Sequence, residues 1–315
     1  MRKNFKPILQ ITAFLIGFVI IWIGLTVIFQ PKYYYSTEYS SPETEIWHDF
    51  YHQSKDSIDV LYVGSSHVYN GIVPEVIREK TGLVGFDMAC SNQDMRNSYT
   101  YIQEALRYQS PKYIVLDSFY LQYDVFTMDN FKRAHDDMRW SPIKWEALSG
   151  YFEHTVGEKR SYRILTLLDF HKRWESLVKE DFDRSYETSQ MGFIPLGDIG
   201  GCEREKYYYN DEPMNIPPRT IDYFDCINEL CKANNMKLVL VSIPSSYWTR
   251  GYCNSAKLFA EEKGIPYIEL NSDDEYKIMR LDMNTDFRNL DHLNTTGAIK
   301  LSERLAEYME QLGMK

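Results

Sequence analysis

The chain has 315 residues, 44% hydrophobic and 25% charged, enough for one α/β domain of ordinary to large size after a single apolar N-terminal stretch. A formal net charge of -10 with no Lys/Arg stripe leaves nothing to drive counterion release from a phosphate backbone, so nucleic acid is excluded as a partner. The five cysteines, Cys90, Cys202, Cys226, Cys231 and Cys253, lack metal-type spacing and imply neither a zinc site nor a full disulfide framework; one bridge and none are equally open.

From Ile8 to Phe29 the chain carries no charge and, as a helix, covers a hydrocarbon core of roughly 30 Å. It reads as a transmembrane anchor over 8–29. It is longer than the apolar region of a cleaved signal, and no Ala-x-Ala-like site precedes Gln30-Pro31-Lys32. Arg2, Lys3 and Lys6 make residues 1–7 a cytoplasmic tail and place everything after about residue 30 outside, a single-pass cell-membrane protein with an extracytoplasmic domain. Tyr33, Tyr34 and Tyr35 then form an aromatic belt at the outer interface. Residues 30–55, polar and containing Pro31 and Pro42, read as an extracellular stem, and 56–315 as the globular domain.

Within that domain, Ile58–Val63 predicts a strand stopped by Gly64, followed by a helix from Val73 to Lys80. Val84–Met88 predicts a second strand, Ser98–Tyr108 a helix, and Tyr113–Leu116 a third strand. The alternation returns with a helix over Thr220–Ala233, a strand over Lys237–Val241, a helix over Ala256–Lys263, a fifth strand over Pro266–Leu270 and a closing helix over Ala298–Gln311. This order predicts a parallel five-stranded sheet in a flavodoxin-like three-layer α/β/α fold. Between about 120 and 215 the alternation is lost and aromatics and charges accumulate, so this stretch reads as an insertion over the strand ends, a lid or substrate wall.

Two short segments carry chemistry. Gly64-Ser65-Ser66-His67 follows the first strand directly and precedes a helix, whose first N–H groups can stabilise an oxyanion. Alone, such a turn reads as a helix cap. Asn289-Leu290-Asp291-His292-Leu293-Asn294 precedes the last helix, and alone reads as a capping loop with a surface histidine. Together, at opposite ends of one α/β unit, they point to Ser66 as nucleophile and His292 as its base, since a histidine after the last strand can reach back to a serine after the first.

Through its GSSH turn and its Asp-His-Leu-Asn-x-x-Gly-Ala ending, the chain resembles the SGNH/GDSL hydrolases. More closely, SIDVLYVGSSHVYNGIVPEVI, DMACSNQ, PKYIVLD, HKRW and DHLNTTGAIK resemble the anchored SGNH-like proteins that accompany membrane-bound O-acyltransferases. The resemblance covers nearly all of the soluble region. It implies an α/β/α SGNH fold, no metal or organic cofactor, Ser66 as nucleophile in the third place of a Gly-x-Ser turn, and Ser65 as scaffold. The oxyanion loop falls on Cys90-Ser91-Asn92-Gln93, with Asn92 where many relatives have glycine. The family's Gly-x-Asn-Asp block is missing, because the third strand runs into Asp117-Ser118-Phe119-Tyr120. Asn92 or Gln93 is then the substitute side-chain donor.

The family's catalytic acid lies three residues before the histidine, where this chain has Asn289. Asp291 is the expected replacement, with Asp286, Asn289 itself as a neutral acceptor, and a weakened or lost site as the other readings. His171 and Arg173 of the HKRW segment are secondary candidates for an anionic or glycan group, set against a helix with one buried Trp. Cys90 as a thiol nucleophile is disfavoured, with no histidine beside it in sequence. Tyr207-Tyr208-Tyr209 suit a carbohydrate surface or plain packing. The expected activity is acyl transfer, probing acetyl first, to a cell-surface polysaccharide through an acyl-serine, with a membrane-bound O-acyltransferase as partner. The rivals are a carbohydrate esterase and a non-catalytic binding partner.

Overall fold

The structure, a computed structural model, describes residues 5–29, 42–124, 127–154, 166–177, 179–182, 190–197, 200, 203–204 and 208–315. Five apolar runs form the strands β1 (Val60–Gly64), β2 (Gly85–Ala89), β3 (Tyr113–Asp117), β4 (Lys237–Ser242) and β5 (Tyr267–Glu269). All pair in parallel in the order β2-β1-β3-β4-β5. β1, β2 and β3 are buried throughout, which is why their sequences are mostly apolar and not alternating, with Asp87 of β2 and Asp117 of β3 as buried exceptions. This is the flavodoxin-like order, and it reverses direction between β1 and β3. The chain leaves those two strands toward opposite sides, which opens a crevice at their carboxyl ends.

Before the sheet come α1 (Lys6–Phe29) and α2 (Pro42–His52); β1 leads into α3 (Ser66–Gly71) and α4 (Pro74–Thr81), and β2 into α5 (Met95–Ala105). The insertion after β3 holds α6 (Met128–His135), α7 (Pro142–His154) and α8 (Thr166–Phe170). The second half adds α9 (Pro218–Ala233), α10 (Arg250–Lys263), α11 (Asp273–Met279) and α12 (Thr295–Gln311). On one face of the sheet α4 packs on α12, and the Tyr62 hydroxyl of β1 reaches Met309 Sδ of α12 at 4.0 Å. A Cβ at Gly85 would lie 2.3 Å from the Tyr62 ring, so the glycine of β2 makes room for that tyrosine. On the other face lie α2, α5, α9 and α10, joined by Trp47 against Tyr101 at 4.6 Å and Phe224 edge-on to Phe259 at 4.8 Å.

α1 has 24 residues and a mean hydropathy of 2.6, long and apolar enough to cross a membrane. The stem expected over 30–55 is corrected in its second half: α2 belongs to the body. Ile46, Trp47 and Phe50 form its inward stripe and are fully or almost fully buried, and Trp47 Nε1 donates to the Tyr101 hydroxyl at 3.1 Å and to the Ala134 carbonyl at 3.0 Å. Three large apolar groups on one helical face outweigh the polar composition around them. Tyr33, Tyr34 and Tyr35 lie outside the described residues. The described part of the insertion is helical in α6, α7, α8 and the turn His171–Glu175 and irregular over 190–197 and 209–215, and Cys90, Cys226, Cys231 and Cys253 are free thiols; Cys202 lies outside the described residues.

Candidate active site

β1 delivers its chain to the crevice through Gly64, where a Cβ would come within 2.6 Å of both the Asp117 Cβ and Val68. Only glycine lets the strand ends approach this closely. Ser65 then acts as the N-cap of α3, its Oγ accepting from the His67 N–H at 3.4 Å. The scaffold role and the reactive role are thus divided between neighbours, because the capping hydroxyl turns inward and Ser66 turns out.

Ser66 Oγ lies 2.7 Å from His292 Nε2. The histidine is carried by a short loop tied at both ends: Phe287 and Leu293 form an isolated antiparallel bridge, the Arg288 N–H donates to the His292 carbonyl at 2.9 Å, and the Asn294 N–H to the Asp286 carbonyl at 3.0 Å. At its tip Asn289 Oδ1 accepts from the N–H of Asp291 at 2.8 Å, from the N–H of His292 at 2.9 Å, and faces His292 Nδ1 at 3.2 Å. A carbonyl oxygen can only accept, so it assigns the proton to Nδ1 and leaves the Nε2 lone pair toward Ser66. Burial, with the nearby His67 adding to it and Asp291 opposing, pushes His292 down to about 4, so the ring is neutral at pH 7.

Asp291, expected beside His292 Nδ1, goes elsewhere. Its Oδ1 lies 2.9 Å from His67 Nε2 and accepts from Ser245 Oγ at 2.8 Å. Successive side chains in an extended loop point apart, so the residue adjacent in sequence faces away from Nδ1 while the one three positions earlier folds back onto it. Burial disfavours the Asp291 carboxylate, but His67, by charge and hydrogen bond, holds it down at about 2. Asp286 is also elsewhere: buried, with Oδ2 accepting from Lys300 Nζ at 2.6 Å and from the Asp282 N–H at 2.7 Å.

On the oxyanion side, Asn92 sits at the tip of the turn after β2 with φ +56°, the left-handed conformation that glycine would adopt without strain. Its Oδ1 accepts from the Tyr120 hydroxyl at 2.6 Å, which leaves the amide NH2 as the remaining polar end. Ser91 Oγ pairs with the Tyr69 hydroxyl at 2.8 Å. Gln93 is withdrawn: buried, its Nε2 donates to the Met88 carbonyl and to Ser98 Oγ, both at 3.3 Å. The crevice opens into a cleft of about 610 Å³ lined by Asn92, Phe119, Tyr120, Tyr123, Thr127, Asn130, Tyr247, Tyr252 and Asp291.

His171 and Arg173 lie apart from this cleft. Arg173 is buried, its guanidinium donating to Asp181 Oδ1 at 2.9 Å and to the Phe29 carbonyl, the last of α1, at 2.6 Å. His171 is exposed, with Nδ1 2.7 Å from the Leu168 carbonyl, and Trp174 is exposed and not the buried anchor. Tyr208 is buried under the Arg204 guanidinium, 3.7 Å from the ring centre, and Tyr209 bonds Asp273 Oδ2 at 3.0 Å; Tyr207 lies outside the described residues.

Three residues that motif reading passed over belong to the network. His67, directly after the nucleophile, lies with Nδ1 2.9 Å from Ser65 Oγ, and its ring is parallel to that of His292 within 7° at 5.2 Å. Ser245 holds Asp291, and buried Asp117, pushed up to about 6 by burial with His67 pulling the other way, lies 4.0 Å from His67 Nδ1. The visible signal was the histidine following Ser66; Ser245 and Asp117 carry none in sequence. Ligand atoms of His67, Asp291 and His292 lie within 4.8 Å of one another, but His67 Nε2 and Asp291 Oδ1 bond each other and His292 Nε2 bonds Ser66.

Fold and site together define a serine–histidine pair at the switch point of a flavodoxin-like sheet. No family model and no curated protein matches the sequence. Solved structures to which the chain is similar include a protein described as lipolytic, of the G-D-S-L family, from Desulfitobacterium hafniense, at 8% identity and TM-score 0.39, over 79% of this chain and 98% of that one. Two others are a protein described as an acylhydrolase from Bacteroides fragilis (10% identity, 84% and 93%, TM-score 0.41) and a GDSL-like lipase from Bacteroides thetaiotaomicron (11%, 85% and 99%, TM-score 0.40).

Proposed function

We propose that this chain is a membrane-anchored serine enzyme of the SGNH/GDSL type, facing outward, that takes an acyl group, acetyl first among candidates, onto Ser66 and passes it to a hydroxyl of a cell-surface polysaccharide. The observation that carries the reading is Ser66 Oγ at 2.7 Å from a histidine nitrogen whose proton is held on the other side by Asn289. His292 takes the Ser66 proton as Oγ attacks the ester carbonyl, and returns it to the departing alcohol, leaving an acyl-serine. A sugar hydroxyl then gives its proton to His292, attacks the acyl carbon and releases the serine. N–H groups of Ser66 and Asn92, with the Asn92 amide, are the proposed oxyanion donors.

Four tyrosines along the cleft suit a sugar acceptor, since aromatic faces stack on pyranose rings and hydroxyls bond their edges. An anchor confines Ser66 near the bilayer and raises its effective concentration toward a membrane-bound donor, which supports an O-acyltransferase partner. One observation favours the hydrolytic reading: Ser66 and His292 are half-exposed, so water reaches the same carbon. Purified protein given an activated acetyl ester and an oligosaccharide decides between them. Acetylated oligosaccharide by mass spectrometry, with hydrolysis slower, is expected; rapid hydrolysis at saturating acceptor and no acetylated product sinks transfer and leaves the esterase. A wild-type protein that never labels with a fluorophosphonate would sink both.

A further inference from the structure

His67 is buried in α3 between two rings, Phe119 at 4.1 Å and His292 at 5.2 Å. Nε2 faces a carboxylate and Nδ1 a hydroxyl. Nε2 meets Asp291 Oδ1, a carboxylate oxygen that also accepts from Ser245. Nδ1 meets Ser65 Oγ, which already accepts from the His67 main chain. Asp117 Oδ2, buried without a hydrogen-bond partner, lies 4.0 Å from Nδ1. Asp291 and Asp117 are thus the charged groups facing His67, from the 287–293 loop and from β3, and His292 is the titratable one. A ring with a carboxylate at Nε2, a hydroxyl able to accept at Nδ1 and a second carboxyl group 4.0 Å from Nδ1 suits the doubly protonated form.

We propose that His67 is a positioning residue: a standing imidazolium, clamped by Asp291 and Ser65, whose parallel ring sets the plane of His292 and keeps that base unprotonated. This rests on the acyl-serine reading and gives Asp291 its role in it. With Asn289 in the acid's place there is no carboxylate on Nδ1 to aim the ring, and the stack supplies that restraint. Charge follows the same geometry. Burial disfavours a His67 cation, but Asp291, by charge and hydrogen bond, and Asp117 raise its pKa above the ordinary value, while His67 adds to the burial that depresses His292. The sign is fixed by this: the base is lost only as pH falls through about 4, and removal of the cation moves that loss upward.

The test is the pH dependence of fluorophosphonate labelling at Ser66 in the full-length protein. Wild type should stay near its plateau rate at pH 5. His67→Phe keeps a stacked ring without the charge, so its acid limb should move up from about 4, seen as a several-fold lower rate at pH 5 relative to its own plateau, while the burial of His292 keeps the limb below the ordinary histidine value. An equal loss at every pH, or an unmoved limb, overturns the proposal. If that variant does not fold, 15N spectra of histidine-labelled Ser66→Ala protein give the answer directly: both His67 nitrogens protonated at pH 7 is expected, and a neutral ring overturns it. Absence of labelling in wild type would sink the acyl-serine reading alone, since the spectra still report His67.

Discussion

The carboxyl edge of the sheet and the segment from α8 to residue 182 both present polar residues that the sequence singles out, and the fold uses them differently. At the edge, Ser66 and His292 are half-exposed beside the cleft that Asn92 and Asp291 line, and are held there by neighbours that are themselves tied to main chain, such as Asn289 in its turn and Ser65 in its cap. In the segment, Arg173 is turned inward onto Asp181 and onto the final carbonyl of α1. A basic residue beside an exposed tryptophan is therefore not a site by composition. What marks a site is a reactive atom left facing solvent while its supports point away from it.

The largest effect should come from Ser66→Ala, which removes labelling and lowers ester turnover by on the order of 10³-fold or more, while Ser65→Ala still labels. Labelling of the Ser66→Ala protein at the wild-type rate would move the site elsewhere and end the contrast. Arg173→Met should leave the Asp181 carboxylate buried without its cation and lower stability by about 3–5 kcal/mol, read by thermal denaturation in detergent, with kcat/KM for a small ester unchanged. A fall in kcat/KM at unchanged Tm would return that segment to the chemistry. Asp286→Ala, in the same loop as His292 but turned toward Lys300, should cost about 1–3 kcal/mol of stability without moving the acid limb of the rate profile. Asn289→Asp keeps the turn and places a carboxylate on Nδ1, so the acid limb should rise from about 4 and turnover at pH 7 increase by about tenfold. No change in either would mean that Asn289 only shapes the loop.

The sheet was legible because buried parallel strands read as mostly apolar runs between glycines and prolines, and all five lie within a few residues of their expected places. α2 was not, since Ile46, Trp47 and Phe50 stand among charges and mimic a polar tether until the face they meet is known. The pairing of Ser66 with His292 could be read from two segments on one α/β unit. The partner of Nδ1 could be narrowed only to alternatives that included Asn289, because sequence adjacency favours Asp291, whereas a turn folds position 289 back. His67 was visible as the residue after Ser66, but its role was not, because its place beside His292 is fixed only when the last loop closes over the first.

The contact between Arg173 and Phe29 has a mechanical consequence for a helix that spans a bilayer. A helix end joined only through a loose linker is a leash, and the domain at its far end sweeps a volume set by the linker's length. An end gripped by a buried guanidinium is a pedestal. Under the proposed anchoring, such a grip would hold the cleft at one height and one tilt over the lipid, leaving it free to drift only in the plane. On the proposed function, a donor sharing the bilayer would meet it by two-dimensional search at constant orientation, and a polymer acceptor outside would have to bring its hydroxyls down to that altitude.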